Sequence, residues 1–404
     1  MENKGKSVES SYAIKVLTWN ERLLRISGIW PLQVRDSIFL IYFIYGCLIA
    51  SASFLNLFDH LLDFDYVIVN LVENILMSTT LMKMITCRIN SRPIARFLKE
   101  IQQDFSYENY RNTEERSIFY HYNKLSYRFI AITVPSMTLV LVSYFVREAL
   151  TSVQSGNVLH TIINVLLFDY LSIPLIVSAY VGVDCLFASS ALHITAQFVI
   201  LKHRIAESLE DSKRGIRNVI LEHCRLISII SEVYSTHFRL AETLEDTFTA
   251  IIFQQLLATT FQLCLAGYQM LVVNRYDTIL SLLPFFPTIS VTLFPSLSQS
   301  LAKKEDDQVI LFLIHACGLS TTLFVYCYIG EGLIQESMNL NEAFYNIKWY
   351  DTLSTNFKLI YICMMRTSKP LQLTSAKFRA LSLYTFTDIL KTSMGYLSVL
   401  RTFL

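Results

Sequence analysis

Long apolar runs alternate along this chain with segments in which charged and apolar residues recur at helical spacing. Ser37 to Leu57 (SIFLIYFIYGCLIASASFLNL) is 21 residues without a charge, about the length of a helix that crosses a hydrocarbon core. Comparable runs cover Tyr66 to Met82, Phe129 to Val146, Ile162 to Val183, Thr247 to Val273, Val309 to Gly330 and Tyr384 to Phe403. The pattern predicts an all-α integral membrane protein with seven transmembrane helices. Ile162 to Leu201 is long enough for two crossings but is read as one helix that runs on past the membrane, with Asp184 and His193 on its wet part. Between the runs, Arg88 to Arg128 and Lys202 to Asp246 carry apolar residues at helical spacing, among them Ile205, Leu209, Ile216, Ile220, Ile227 and Ile230, and predict packed helices outside the membrane.

Charge sets the direction of insertion. Of 34 basic residues, 6 lie in the N-terminal tail, 9 in Lys83 to Arg128, 7 in Lys202 to Arg239 and 6 in Lys348 to Arg379. These are alternate connections, so the positive-inside rule places the N-terminus in the cytoplasm and the C-terminus outside. That is the reverse of a G-protein-coupled receptor. An eighth crossing at the proline-bearing stretch Ile279 to Leu301 (ILSLLPFFPTISVTLFPSLSQSL) would turn the C-terminus inward, and the stretch is read instead as an extracellular or re-entrant excursion. The expected organisation is residues 1–338 for helices one to six with their cytoplasmic extensions, including an atypical outer insertion at 276–302. A cytoplasmic anchor follows at 339–383, where Asn356 to Met365 is too short to cross, and the last helix occupies 384–404.

Composition fits this: 53% of residues are hydrophobic and 17% charged, and soluble domains run at about 45–50% and about 25%. The net charge of +1 gives no general pull toward nucleic acid. The eight cysteines show no CxxC pair and sit in or beside apolar runs, which implies neither a disulfide framework nor a metal site. No catalytic or nucleotide-binding motif is present, so neither an enzyme nor a cofactor is implied.

The last run is apolar yet carries polar groups in order. Thr385, Asp388, Thr392, Tyr396, Val399 and Phe403 fall on one helical stripe, and Lys391, Gly395, Ser398 and Thr402 on the adjoining one. Phe386, Ile389, Leu390, Leu397 and Leu400 lie opposite. From the residues alone, the polar face fits the wall of a shared aqueous path and interhelical hydrogen bonding equally well, the latter with Asp388 and Lys391 satisfying each other.

Two stretches carry a resemblance. YCYIGEGLIQESMNLNEAFYNIKWYD (Tyr326 to Asp351), followed by LSLYTFTDILKTSMGYLSVL, resembles the C-terminal signature of insect odorant receptors through Gly330, Glu331, Ser337, Ala343, Tyr345, Trp349 and Tyr350. Gly182 to Ile205 is similar to the family's fourth-helix pattern through Asp184, Leu186, Phe187, His193, Gln197, Phe198 and Leu201. The resemblance implies a tetrameric cation channel of the sensory-neuron plasma membrane, opened by odorants, each subunit having seven helices and a cytoplasmic anchor. The chain lacks the co-receptor's large cytoplasmic insertion, which implies an odorant-tuning subunit partnered by that co-receptor in a heterotetramer. The resemblance also places Asp388, Thr392, Tyr396, Val399, Thr402 and Phe403 along the pore, with Val399 and Phe403 at its outer constriction.

A small apolar odorant calls for a mostly apolar pocket between helices. The expected lining is Val69, Asn70 and Glu73 on helix two; Val140, Ser143 and Tyr144 on helix three; Tyr170, Ile173 and Val177 on helix four; and His315, Leu319 and Thr322 on helix six. Glu73 is expected to pair with Asn70, Asn74 or Arg147. Tyr345, Trp349 and Tyr350 offer large faces with polar tips, suited to a subunit interface in the anchor. A gustatory-receptor-like channel is the nearest alternative; a transporter or a seven-helix membrane enzyme has less support in the residues.

Overall fold

Helices account for almost the whole of the computed structural model, which describes residues 2–59, 62, 64–105, 110, 112–154, 170–210, 238–272, 306–346 and 354–401. In chain order they are α1 (Glu2–Ile26), α2 (Asp36–Asp59), α3 (Phe64–Ile89), α4 (Ser91–Asp104) and α5 (Thr113–Gln154). Then come α6 (Tyr170–Leu175), a π-helical turn (Ile176–Val181), α7 (Gly182–Glu210), α8 (Phe238–Val272), α9 (Asp306–Tyr345), α10 (Ser354–Thr367) and α11 (Leu383–Arg401). Among the described residues four helices, covering Asp36–Phe58, Leu171–Ala206, Phe238–Tyr268 and His315–Tyr345, are long and apolar enough to cross a membrane.

The central element is α7. Nearly every described side chain from Leu175 to Leu201 is buried, because α1, α5, α8 and α9 all pack on it. Helix runs without reversal from Tyr170 to Glu210, through the π turn that begins two residues after Pro174. Proline lacks the N–H that would close the preceding turn, and the wider turn follows that break. Asp184 and His193, expected on a wet segment, are instead buried, because neighbouring helices cover this helix on all sides.

The opposite case is α2. It packs on α3 along one side and leaves Leu40, Ile41, Ile44, Leu48, Leu55 and Phe58 exposed. This apolar face lies on a helix long and apolar enough to cross a membrane.

The long helices run through the expected boundaries. Phe129 to Val146 is the second part of α5, and α9 continues past residue 338, so the expected anchor begins inside it. Of the apolar positions expected on cytoplasmic helices, Ile205 is buried on α7; Ile216, Ile220, Ile227, Ile230 and the expected insertion at 276–302 lie outside the described residues.

One element departs from the all-α expectation. Thr374–Ser375 and Arg379–Ala380 pair as a two-residue antiparallel hairpin. Its turn places Ala376 and Lys377 at φ 49° and 63°, and the Phe378 N–H closes it onto the Ser375 carbonyl at 3.0 Å. Two successive positive φ values are the mark of the tight hairpin turn, but Ala-Lys is not the Asn-Gly pair that announces one.

Candidate functional site

Three of the signature positions on α9 hold the segment that leads into α11. Gly330 packs so closely on Leu381 that a Cβ there would overlap the Leu381 Cβ and carbonyl oxygen. At the next residue, Glu331 Oε2 accepts the Leu383 N–H at 3.1 Å, taking up a free donor of the α11 N-terminus where negative charge is also favourable. Ser382 is the N-cap, its Oγ accepting the Thr385 N–H at 3.2 Å. Further along α9, Ser337 Oγ accepts the Leu371 N–H at 3.0 Å. The hairpin is in turn tied to α8, with Thr374 Oγ1 donating to Glu245 at 2.6 Å and Thr249 donating to the Thr374 carbonyl at 2.9 Å.

Mounted this way, α11 has one packed and one open side. Ile389 and Ser393 are buried, Ser393 Oγ reaching the Thr260 carbonyl of α8 at 3.4 Å, and Leu397 lies against Gly267. The other side exposes Lys391, Thr392, Gly395, Tyr396, Ser398 and Val399. Thr392 and Ser398 donate to carbonyls of their own helix, Asp388 and Gly395, both at 2.8 Å. Within the chain, then, Ser393 is the α11 hydroxyl that bonds another long helix, while Thr392 and Ser398 look outward. Thr385 is buried at the cap; Thr402 and Phe403 lie outside the described residues.

The pairing of Asp388 with Lys391 that the interhelical alternative allowed is not the one that forms. Asp388 Oδ2 meets Arg379 Nη1 of the hairpin at 2.6 Å, because the hairpin brings that guanidinium to the first turns of α11. Both partners are substantially exposed, so the pair contributes less than about 1 kcal/mol. Arg379→Met is expected to leave the melting temperature of the detergent-solubilised protein nearly unchanged.

The fourth-helix pattern resolves into two buried polar clusters. In the first, Asp184 Oδ1 accepts from Lys83 Nζ and from Tyr326 OH, each at 2.6 Å. The Lys83 ammonium also lies 3.7 Å from the centre of the Tyr180 ring, and Phe187 stacks on Tyr326 at 4.7 Å. Tyr180 OH accepts from Gln255 Nε2 at 2.9 Å. Lys83, Asp184 and Tyr326 therefore join α3, α7 and α9 at one point, with Lys83 0% and Asp184 2% exposed. In the second cluster His193 Nε2 meets Asp104 Oδ2 at 3.1 Å, and Gln197 Nε2 donates to Tyr110 OH at 3.3 Å. Burial pushes the Tyr110 phenol well above its ordinary value, so it remains a donor, to the Asp104 carbonyl at 2.8 Å.

The expected ligand residues divide. Asn70 is spent on structure: Asn74 Nδ2 donates to Asn70 Oδ1 at 2.6 Å and to Ser53 Oγ of α2 at 2.9 Å. Glu73, Ile173 and Thr322 are half-buried, Thr322 donating to the Gly318 carbonyl at 3.0 Å, and Val177 and Leu319 are buried. His315 is half-buried with its Nε2 enclosed and unpaired. Val69, Val140, Ser143, Tyr144 and Tyr170 lie in helices, but their side chains are outside the described set, as is that of Arg147. Of the expected interface residues, Tyr345 is exposed at the end of α9, while Trp349 and Tyr350 lie outside the described residues.

Comparison with known proteins places this architecture. The family model for the 7tm odorant receptor matches residues 63–300 and 297–394. The chain belongs to that family. Odorant receptor 9a of Drosophila melanogaster is 24% identical over 225 residues, 55% of this chain and 47% of that protein. The odorant receptor coreceptor of the same fly is 25% identical over 162 residues, 40% of this chain and 27% of that one. The chain thus spans about half the length of the odorant receptors 9a and 47a of that fly. The structure of the insect olfactory receptor OR5 from Machilis hrabei in complex with eugenol shares the fold, with a TM-score of 0.65 at 14% identity, over 97% of this chain and 100% of that one. For this odorant-receptor family member, the signature residues Gly330, Glu331 and Ser337 now have a physical role, which is to seat the last helix.

Proposed function

We propose that the chain is a subunit of an odorant-gated, nonselective cation channel, in which α11 from each subunit lines one central pore. The observation that carries this reading is the open side of α11: Tyr396 and Val399 are each 56% exposed, on a helix whose other side is anchored to α8. Polar and ionisable groups on a crossing helix favour a water-filled path or a partner group, and Thr392, Tyr396 and Val399 have the shared face a pore wall needs. Four such faces around one axis would enclose the path, with Val399 and Phe403 narrowing it by apolar constriction.

In this reading the N-terminus is cytoplasmic, the C-terminus external, and the apolar face of α2 meets lipid in the plasma membrane of a sensory dendrite. The co-receptor completes a heterotetramer, with Tyr345, Trp349 and Tyr350 at the anchor interface. A small, mainly apolar odorant binds among α3, α5, α6, the π turn and α9, and favours the open state by its differential affinity. The family membership and the eugenol bound by the OR5 relative support this class of ligand.

The test is current recording from cells expressing the chain with and without a co-receptor, against an odorant panel. Odorant-dependent cation current is expected with the co-receptor, and Thr392→Val should lower its conductance. Absence of current under both conditions would contradict the proposal.

A further inference from the structure

Gln262 of α8 is 1% exposed, and among the described residues neither its amide oxygen nor its amide nitrogen has a hydrogen-bond partner. An unpaired buried amide costs about 1–3 kcal/mol, and in a crossing helix no lipid can satisfy it. Because it is enclosed by its own chain, no neighbouring subunit reaches it either. It continues a polar stripe on the inward side of α8, Gln255, Thr259 and Gln262, whose first two members bond each other at 3.2 Å.

What Gln262 faces follows from the register of the helices. Phe187 meets Phe248 with ring centres 5.4 Å apart, and Tyr180 meets Gln255, so the fourth helix and α8 run antiparallel residue for residue. Seven residues further on, about 10 Å, Gln262 comes level with Ile173. Tyr326 is bonded to Asp184, and α9 runs parallel to α7, as the Lys202–Glu336 bond shows. Ile173 lies eleven residues before Asp184, and eleven before Tyr326 is His315. Along α3, the Asn90–Thr247 and Gln254–Thr79 bonds set an antiparallel register that brings Val72 and Asn70 to the same height. Gln262 and the unpaired His315 Nε2 therefore both lie beyond the Asp184 cluster toward the same end of the bundle, as do the apolar Ile173 and Val72.

We propose that Gln262 is the specificity-determining polar contact of the odorant site, and that the site takes oxygenated molecules, alcohols and ketones, over hydrocarbons of the same shape. The amide donates to a ligand carbonyl or accepts from a ligand hydroxyl, and His315 Nε2 supplies a second hydrogen-bonding atom from across the bundle. This rests on the proposed reading of the chain as an odorant receptor, and adds to it a residue on α8 and a ligand chemistry.

The test uses the purified full chain in detergent and its ligand-dependent melting shift, with straight-chain and aromatic alcohols and ketones of graded size and their hydrocarbon isosteres, 1-octanol against nonane for example. The wild type is expected to bind the oxygenated member of its preferred pair roughly tenfold more tightly, the worth of one buried hydrogen bond. Gln262→Met, close in shape, should bring the two within about threefold, and its ligand-free form should melt no lower than the wild type. Gln262→Leu serves as the second variant. No oxygenated preference in the wild type, a preference kept in Gln262→Met, or a marked loss of ligand-free stability would overturn the assignment. A Gln262-dependent preference without any odorant current would sink the channel reading and leave this one standing; current whose preference ignores Gln262 would do the reverse.

Discussion

Asp184→Asn is expected to lower the stability of the protein by about 3–5 kcal/mol, the largest effect proposed for this chain together with that of removing its partner Lys83. Asparagine keeps an oxygen for the Tyr326 hydroxyl, which now bonds the carboxylate at 2.6 Å, so the change isolates the loss of the charge partner. What remains is the Lys83 ammonium, fully buried between α3 and α7 with the Tyr180 ring and carbonyl and the new amide oxygen beside it and no carboxylate to balance its charge. Lys83→Met should cost a similar amount, by stranding the carboxylate. The double variant Lys83→Met/Asp184→Asn should recover most of the loss, because removing both charges also removes the cost of burying them. Thermal melting of the four proteins in detergent closes the cycle, and additive losses would show that the pair is not coupled.

Gly330→Ala is expected to be the next most damaging change, at about 1–3 kcal/mol. The new methyl would meet the Cβ and backbone of Leu381, in the strand exit that the Leu381 N–H ties to the Leu373 carbonyl at 2.8 Å. A backbone held from both sides has little room to yield, so the cap of α11 would shift with it. Gly267→Ala is the control. Its methyl would meet only the tip of the Leu397 side chain, at 2.9 Å, and that side chain can rotate away. Fluorescence-detected melting should rank Gly330→Ala well below Gly267→Ala. The reverse order would show that the α9–hairpin contact does not seat the last helix.

Much of the fold was legible because membranes impose simple rules. Length and apolarity marked α2, the fourth helix, α8 and α9, and family motifs pointed to Asp184, His193, Gly330 and Glu331. What those residues touch was hidden. Lys83 is 101 positions from Asp184, and an acid inside an apolar run announces a partner without saying which. Reading Asp184 and His193 as wet failed for that reason: their polarity is met by other helices. The hairpin escaped notice because two residues per strand leave no alternating pattern, and its turn uses Ala376 and Lys377. With the hairpin missed, Arg379 could not be placed beside Asp388, and the nearer Lys391 looked like the partner. The stripe on α11 could be drawn from spacing alone. Which hydroxyl bonds a neighbouring helix, Ser393 and not Thr392, needed the packing of α8.

The channel reading stands or falls on whether the open side of α11 faces water in a path shared between subunits. Cysteine accessibility decides this: a charged, membrane-impermeant thiol reagent is applied during odorant-evoked current to Thr392→Cys, Val399→Cys and, as control, Ser393→Cys, which sits on the packed side. Progressive block is expected at Thr392→Cys and Val399→Cys and none at Ser393→Cys; current that survives the reagent at the first two, or is lost at the third, would rule out a pore lined by this face.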